Sequence, residues 1–257
     1  MTERFPAVGA VDCGTNSIRL LVACPDESGH LVDLYREMRV VRLGEGVDAT
    51  GRFTDAAIER TRRALADSGD LMVSLGVRRV RMVAAPATRD AANRDEFFAM
   101  TATLLGRVVQ GAVAEVITGD EEARLSFRGA VGELDPAAGP FVVTDLGGGS
   151  TEVVLGDADG VRAAQSADIG CVRLTERTLH SDPPTREEIS AATEFAQSRL
   201  ASAFAAVPVA QARTWVGVAG TMTTLSAIGM GLAEYDSDAI HLSRISLSDL
   251  VEVCERL

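Results

Sequence analysis

Thr144-Asp145-Leu146-Gly147-Gly148-Gly149-Ser150-Thr151-Glu152-Val153-Val154-Leu155 is an apolar run, an acid, a small-residue turn and a second apolar run. The same design occurs earlier, in Val11-Asp12-Cys13-Gly14-Thr15-Asn16-Ser17-Ile18-Arg19-Leu20-Leu21-Val22. Asp12 aligns with Asp145, Gly14 with Gly147 and Ser17 with Ser150 at a single offset. A turn rich in Gly, Ser and Thr between two β-type runs reads as a hairpin, and consecutive amides in such a turn can cradle phosphate oxygens. Two copies in one chain predict two similar lobes facing a shared cleft.

Working outward, residues 6–13, 17–25 and 30–42 read as three strands. Thr54 is placed to N-cap a long helix that Gly76 ends at C′. A strand at 80–84, a helix at 93–105 and a strand at 112–116 follow. Thr118 and Glu121 have capping-box spacing at the head of the next helix. Asp135-Pro136-Ala137-Ala138-Gly139-Pro140 is the clearest break, after which the pattern restarts. Strands at 141–146, 151–156 and 161–168 precede helices near 171–179 and 185–205, a strand at 214–218 and a helix from Thr221. The division expected is 1–120 and 121–257. The helical pattern from Ser248 meets the chain end without a capping signal, so the second lobe is expected to be C-terminally truncated.

With 257 residues the chain can bury two substantial cores. Its net charge is −12, and all 25 basic residues are Arg, so chemistry that needs a Lys is excluded. Such an acidic chain is a poor nucleic-acid binder, and an anionic substrate would require Arg and metal to reverse the field locally. No apolar run approaches the roughly 18 residues of a membrane span, and the N-terminus has no signal-peptide pattern; the expected location is the cytoplasm. Cys13, Cys24, Cys171 and Cys254 form no metal or disulfide pattern and are expected to be buried free thiols. His30, His180 and His241 show no metal-ligand spacing, and Trp215 is expected in the core.

The second turn carries the stronger chemistry. Gly147, Gly148 and Gly149 offer amides, Ser150 and Thr151 hydroxyls, while Asp145 and Glu152 bracket the turn with carboxylates. Two acids beside a phosphate cradle repel it unless a divalent cation intervenes, and Mg²⁺ with its waters suits them. In the first turn, Gly14, Thr15, Asn16 and Ser17 supply equivalent groups, and Asp12 is either a third metal-facing acid or a turn cap. Gly217-Val218-Ala219-Gly220-Thr221 ends a strand and opens a helix, so Gly220 and Thr221 either hold another phosphate or mark close helix–strand packing.

Together these turns resemble the superfamily of actin, sugar kinases and chaperone ATPases. With Ala87-Thr88-Arg89-Asp90-Ala91 and Ile117-Thr118-Gly119-Asp120-Glu121-Glu122-Ala123-Arg124 in order between them, the chain is similar to the exopolyphosphatase/guanosine pentaphosphate phosphatase (Ppx/GppA) family over nearly its whole length. That resemblance implies an α/β fold of two ribonuclease H-like (actin-like ATPase) lobes, with mixed sheets flanking an interlobe cleft. It implies a cytoplasmic hydrolase releasing terminal orthophosphate from polyphosphate or guanosine pentaphosphate, with Mg²⁺ or Mn²⁺ as cofactor. Glu122 would be the base that activates water, Glu121 being its close competitor. Asp12, Asp145 and Glu152 would hold metal, Asp145 and Glu152 also serving catalysis. Arg89 and Arg19 would contact phosphate beside residues 14–17 and 147–151. No nucleic-acid or membrane partner is implied, and a homodimer is left open. Two other functions fit less well: a non-catalytic polyphosphate or alarmone sensor, and an ATP-dependent phosphotransferase, for which no acceptor signature is present.

Overall fold

The computed structural model describes residues 6–84, 88 and 91–257. Two compact units divide the chain, Met1–Gly119 and Asp120–Leu257. In the first, β1 (Val8–Cys13), β2 (Ser17–Pro25), β3 (Leu31–Val40), β4 (Arg79–Ala84) and β5 (Ala114–Val116) form one sheet of order β3-β2-β1-β4-β5. Hairpin pairs β1–β2 and β2–β3 are antiparallel, whereas β1–β4 and β4–β5 are parallel. A parallel pair needs a long crossover. Here the short α1 (Val47–Thr50) and the long α2 (Asp55–Ser74) bridge β3 to β4, and α3 (Arg94–Leu105) precedes β5.

Helix α2 forms where its sequence signals place it. Thr54 accepts a hydrogen bond from the Ala57 amide at 3.1 Å, and Gly76 takes φ +70 just beyond the C-cap. Its Leu65 and Met72 meet Val11, Val22, Met82, Phe97 and Leu105 in one core.

The second unit repeats the plan. After α4 (Gly119–Val131), β6 (Phe141–Leu146), β7 (Thr151–Asp157), β8 (Gly160–Ala167) and β9 (Thr214–Val218) form a sheet of order β8-β7-β6-β9. Again the hairpin pairs are antiparallel and the crossover pair, β6–β9, is parallel. Phe141, Val142, Val143 and Thr144 are all buried, because this sheet is covered on both faces. One face packs Ala123 and Phe127 of α4 onto Phe141, Val143 and Val154. Ala203 and Val207, within and just after α6 (Arg186–Ala206), pack with Val142, Val153 and Leu155. α5 (Cys171–Thr178) lies between β8 and α6. After β9 come α7 (Ala219–Gly229), α8 (Ser237–Ile240) and α9 (Leu247–Arg256).

Several expectations are corrected. Trp215 is 55% exposed rather than core: it lies on the edge strand β9, donates from Nε1 to Thr144 Oγ1 at 2.7 Å and meets Phe204 edge-on. All four cysteines are free, but Cys171 and Cys254 are exposed. Helix α7 begins at Ala219, ahead of Thr221, and Ala219 takes φ +71 at the strand-to-helix junction. Among the described residues no helix is long and apolar enough to cross a membrane.

Candidate functional site

The two turns have the same backbone construction. In the first, the Gly14 amide donates to the Ser17 carbonyl at 2.9 Å; in the second, the Gly147 amide donates to the Ser150 carbonyl at 3.0 Å. Each turn is then tied from behind by a later segment of its own unit. The Thr15 carbonyl accepts from the Gly44 amide at 2.8 Å, and the Asn16 carbonyl from the amides of Val41 and Arg42 at 2.9 and 2.8 Å. In the second unit the Gly147 carbonyl accepts from the Cys171 amide at 3.1 Å, and the Gly148 carbonyl from Val172 and Arg173 at 2.9 and 3.0 Å.

These ties set the direction of the amides. In a planar trans peptide the C=O and the following N–H point oppositely. Fixing the carbonyls of Thr15, Gly147 and Gly148 therefore turns the N–H groups of Asn16, Gly148 and Gly149 the other way. Among the described residues, nothing accepts a hydrogen bond from those three amides. Outward amides with no internal acceptor form an anion-binding nest. Close approach makes glycine necessary behind the second turn: a Cβ on Gly170 would lie 2.4 Å from the Gly148 carbonyl carbon.

Charge distinguishes the copies. Asp12 faces Arg19 across β1–β2, and Asp145 faces Glu152 across β6–β7. Arg19 Nη1 lies 3.3 Å from Asp12 Oδ2, with side chains 44% and 51% exposed, so the pair contributes at most about 1 kcal/mol. Desolvation among the strand ends pushes the Asp12 carboxyl up, and the charge and hydrogen bond of Arg19 pull it back. Among the described residues, Glu152 has no such cation. Burial pushes its carboxyl up, hydrogen bonds from the Ser150 and Ser166 hydroxyls oppose that, and the charge of Asp145 adds to it. Ser166 Oγ donates to Glu152 Oε1 at 2.8 Å, and Ser126 Oγ to Asp145 Oδ2 at 3.3 Å.

That last contact turns the Ser126 face of α4 toward Asp145. Ser126 is one turn beyond Glu122 on α4, and residues four apart share a helix face. Glu122 thus borders the Asp145 side, next to the buried Ala123 and Phe127. Glu121 stands about 100° round the helix from it, on the side of the exposed Leu125, and both glutamates are half-buried. The helix is seated closely, since a Cβ on Gly156 would fall 2.6 Å from the Phe127 ring.

Gly220 and Thr221 lie in the first turn of α7, which follows β9 directly; Val218 is paired with Asp145, so this terminus leaves the sheet beside the second turn. The site thus gathers at the carboxyl ends of the parallel strands, where α/β sheets place their ligands. Thr151 is 3% exposed and its hydroxyl donates to the Ile169 carbonyl at 2.9 Å, so it serves the backbone behind the turn. Arg89 lies outside the described residues. Among the described residues, no cluster of three or more His, Cys, Asp or Glu forms a metal shell. The Asp145–Glu152 pair is nonetheless a donor set of hard oxygens with mutually repelling charges, which fits a cation such as Mg²⁺ that keeps most of its waters. Sequence reading missed Ser126, Ser166 and the two tying segments; only Gly44 and Gly170 carried a readable signal of close approach.

Residues 22–257 match the Ppx/GppA phosphatase family. The chain is 61% identical over 253 residues to exopolyphosphatase 2 of Mycobacterium tuberculosis, covering 97% of this chain and 79% of that protein. It is 30% identical to a guanosine-5'-triphosphate,3'-diphosphate pyrophosphatase of Photobacterium profundum, covering 93% of this chain and 46% of that protein. The crystal structure of the Aquifex aeolicus member of the Ppx/GppA family superposes with a TM-score of 0.76 at 33% identity, covering 98% of this chain and 78% of that one. The α/β architecture with two mixed sheets is shared with these structures.

Proposed function

Because this chain belongs to the Ppx/GppA phosphatase family, we propose that it releases terminal orthophosphate from inorganic polyphosphate, with guanosine pentaphosphate as a second substrate of the same chemistry. The observation that carries the reading is the nest at Gly148 and Gly149, acceptor-free amides next to the Asp145–Glu152 pair. A phosphoanhydride chain presents closely spaced anionic oxygens, which such amides are suited to receive. The name of the Mycobacterium tuberculosis relative favours polyphosphate, and that of the Photobacterium profundum relative favours the nucleotide.

Glu122 takes a proton from water as its oxygen bonds to the terminal phosphorus and the bridging P–O bond breaks, so orthophosphate leaves and the shortened chain keeps its oxygen. Phosphoryl transfer of this kind rests on positioning and charge stabilisation more than on covalent help. Asp145 and Glu152 would hold Mg²⁺, whose charge would offset that of the substrate and of the acidic protein. Ser126 and Ser166 fix the two carboxylates by hydrogen bonds, and the amides of Gly148 and Gly149 receive phosphate oxygens.

The test is phosphate release from long-chain polyphosphate and from guanosine pentaphosphate, with Mg²⁺ present and chelated. Glu122→Gln should lower kcat by about 10²–10⁴-fold, with Glu121→Gln within a few-fold of the unmodified chain. No release from either substrate, or full activity in Glu122→Gln, overturns the reading. Tight binding of polyphosphate without turnover would instead identify a sensor.

A further inference from the structure

The segment after β3 is fixed more firmly than a connection requires. Val41 and Leu43 are 2% and 1% exposed, and Arg42 between them adopts φ +49. That left-handed conformation is strained for a residue with a Cβ and comfortable for glycine. Arg60 of α2 holds the segment from the other side: it donates to the Val41 and Arg42 carbonyls at 2.8 and 3.3 Å and pairs with Glu45 at 2.5 Å. Meanwhile the Arg42 amide donates to the Asn16 carbonyl at 2.8 Å. Arg42 therefore stands one hydrogen bond from the first turn, on a backbone set from both sides.

Its side chain is exposed, and among the described residues no carboxylate lies within ion-pair distance of it. The arginines around it are already engaged. Arg19 meets Asp12, Arg36 meets Asp33, Arg39 meets Glu37 and Asp67, and Arg60 meets Glu45. A merely solubilising cation gives no reason to occupy a position where glycine would relieve the backbone. Strain retained next to acceptor-free amides points to use.

We infer that Arg42 is a substrate-contact residue, whose guanidinium takes anionic oxygens of a phosphate chain beside the Asn16 amide; this rests on the phosphatase reading above. A planar guanidinium can give two parallel hydrogen bonds to the oxygens of a phosphoryl group. Asn16 and Arg42 then form a grip for phosphate oxygens within the first unit.

The experiment compares Arg42→Gly, Arg42→Lys and the unmodified protein by thermal melting and by steady-state phosphate release from polyphosphate. Arg42→Gly keeps the amide bonded to Asn16, so the turn stays tied while strain and charge are both removed. The expected result is a raised Tm together with a KM raised about tenfold, kcat changing less than about twofold, and partial recovery of KM in Arg42→Lys. An unchanged KM in Arg42→Gly overturns the inference, as does a lowered Tm with kcat and KM both impaired, which marks a structural role. If the unmodified protein releases no phosphate, the phosphatase reading fails separately. Calorimetry with inorganic tripolyphosphate then decides for Arg42: weaker binding by Arg42→Gly supports the contact, and equal binding removes it.

Discussion

Glu152 is the register partner of Asp145 across the β6–β7 hairpin, and burial, with a smaller addition from the charge of Asp145, holds the Glu152 carboxyl above its ordinary range. The folded protein therefore binds a proton at Glu152 that the unfolded chain has already released. Stability falls as pH rises above the ordinary value of 4.5, and the whole penalty is in place once pH exceeds the folded value. Glu152→Gln removes that charge, so it should raise Tm by a few degrees at pH 7 and bring no gain near pH 4. Melting curves of both proteins at the two pH values check this, and a gain of equal size at both would mean that the cost of the buried Glu152 charge is not the cause.

The same repulsion makes a cation-binding prediction. A divalent ion between Asp145 and Glu152 would bind the folded chain alone and stabilise it by mass action, by about 2.7 kcal/mol at a hundredfold excess over Kd. Millimolar Mg²⁺ should raise the Tm of the unmodified protein and shift that of Glu152→Gln far less. Equal shifts in the two proteins would place the ion elsewhere.

Gly170→Ala tests the tie behind the second turn. Its Cβ would lie 2.4 Å from the Gly148 carbon and 2.6 Å from the Gly149 nitrogen, backbone atoms that cannot swing aside. Destabilisation of about 1–3 kcal/mol is expected, with loss of phosphate release as the nest shifts. Gly129→Ala supplies the opposite sign: this glycine lies inside α4 with open space around its Cβ position, so alanine should stabilise by up to about 1 kcal/mol. Chemical denaturation of both variants tests the pair, and an undisturbed Gly170→Ala would mean that the turn is not tightly backed.

The hairpins were legible in the sequence because an acid, a glycine-led turn and flanking apolar runs all agreed, twice. Strand pairing followed, since a two-to-four-residue turn permits only an antiparallel neighbour. What the sequence withheld acts through groups that every residue carries. The amides of Val41, Arg42, Cys171, Val172 and Arg173 tie the turns, and an amide leaves no trace in residue type. Glu121 and Glu122 are adjacent along the chain, and the contact that orients their helix, Ser126 to Asp145, spans two elements. Trp215 read as core because its strand is apolar, but β9 is an edge strand and its outer face is open.

Ala219 is the remaining test of stored strain. It holds φ +71 where β9 becomes α7, directly after the residue paired with Asp145. An alanine gains nothing locally from that conformation, whereas glycine adopts it freely. Ala219→Gly should therefore raise stability by about 1 kcal/mol, offset in part by the greater freedom of the unfolded glycine. If the fixed backbone aims the Gly220 amide at a phosphate, the looser glycine should also lower kcat/KM severalfold while the fold becomes more stable. Opposite movements of Tm and kcat/KM are the expected signature. A higher Tm with unchanged kcat/KM would reduce Ala219 to a strand-to-helix corner, and an unchanged or lower Tm would remove the strain argument altogether.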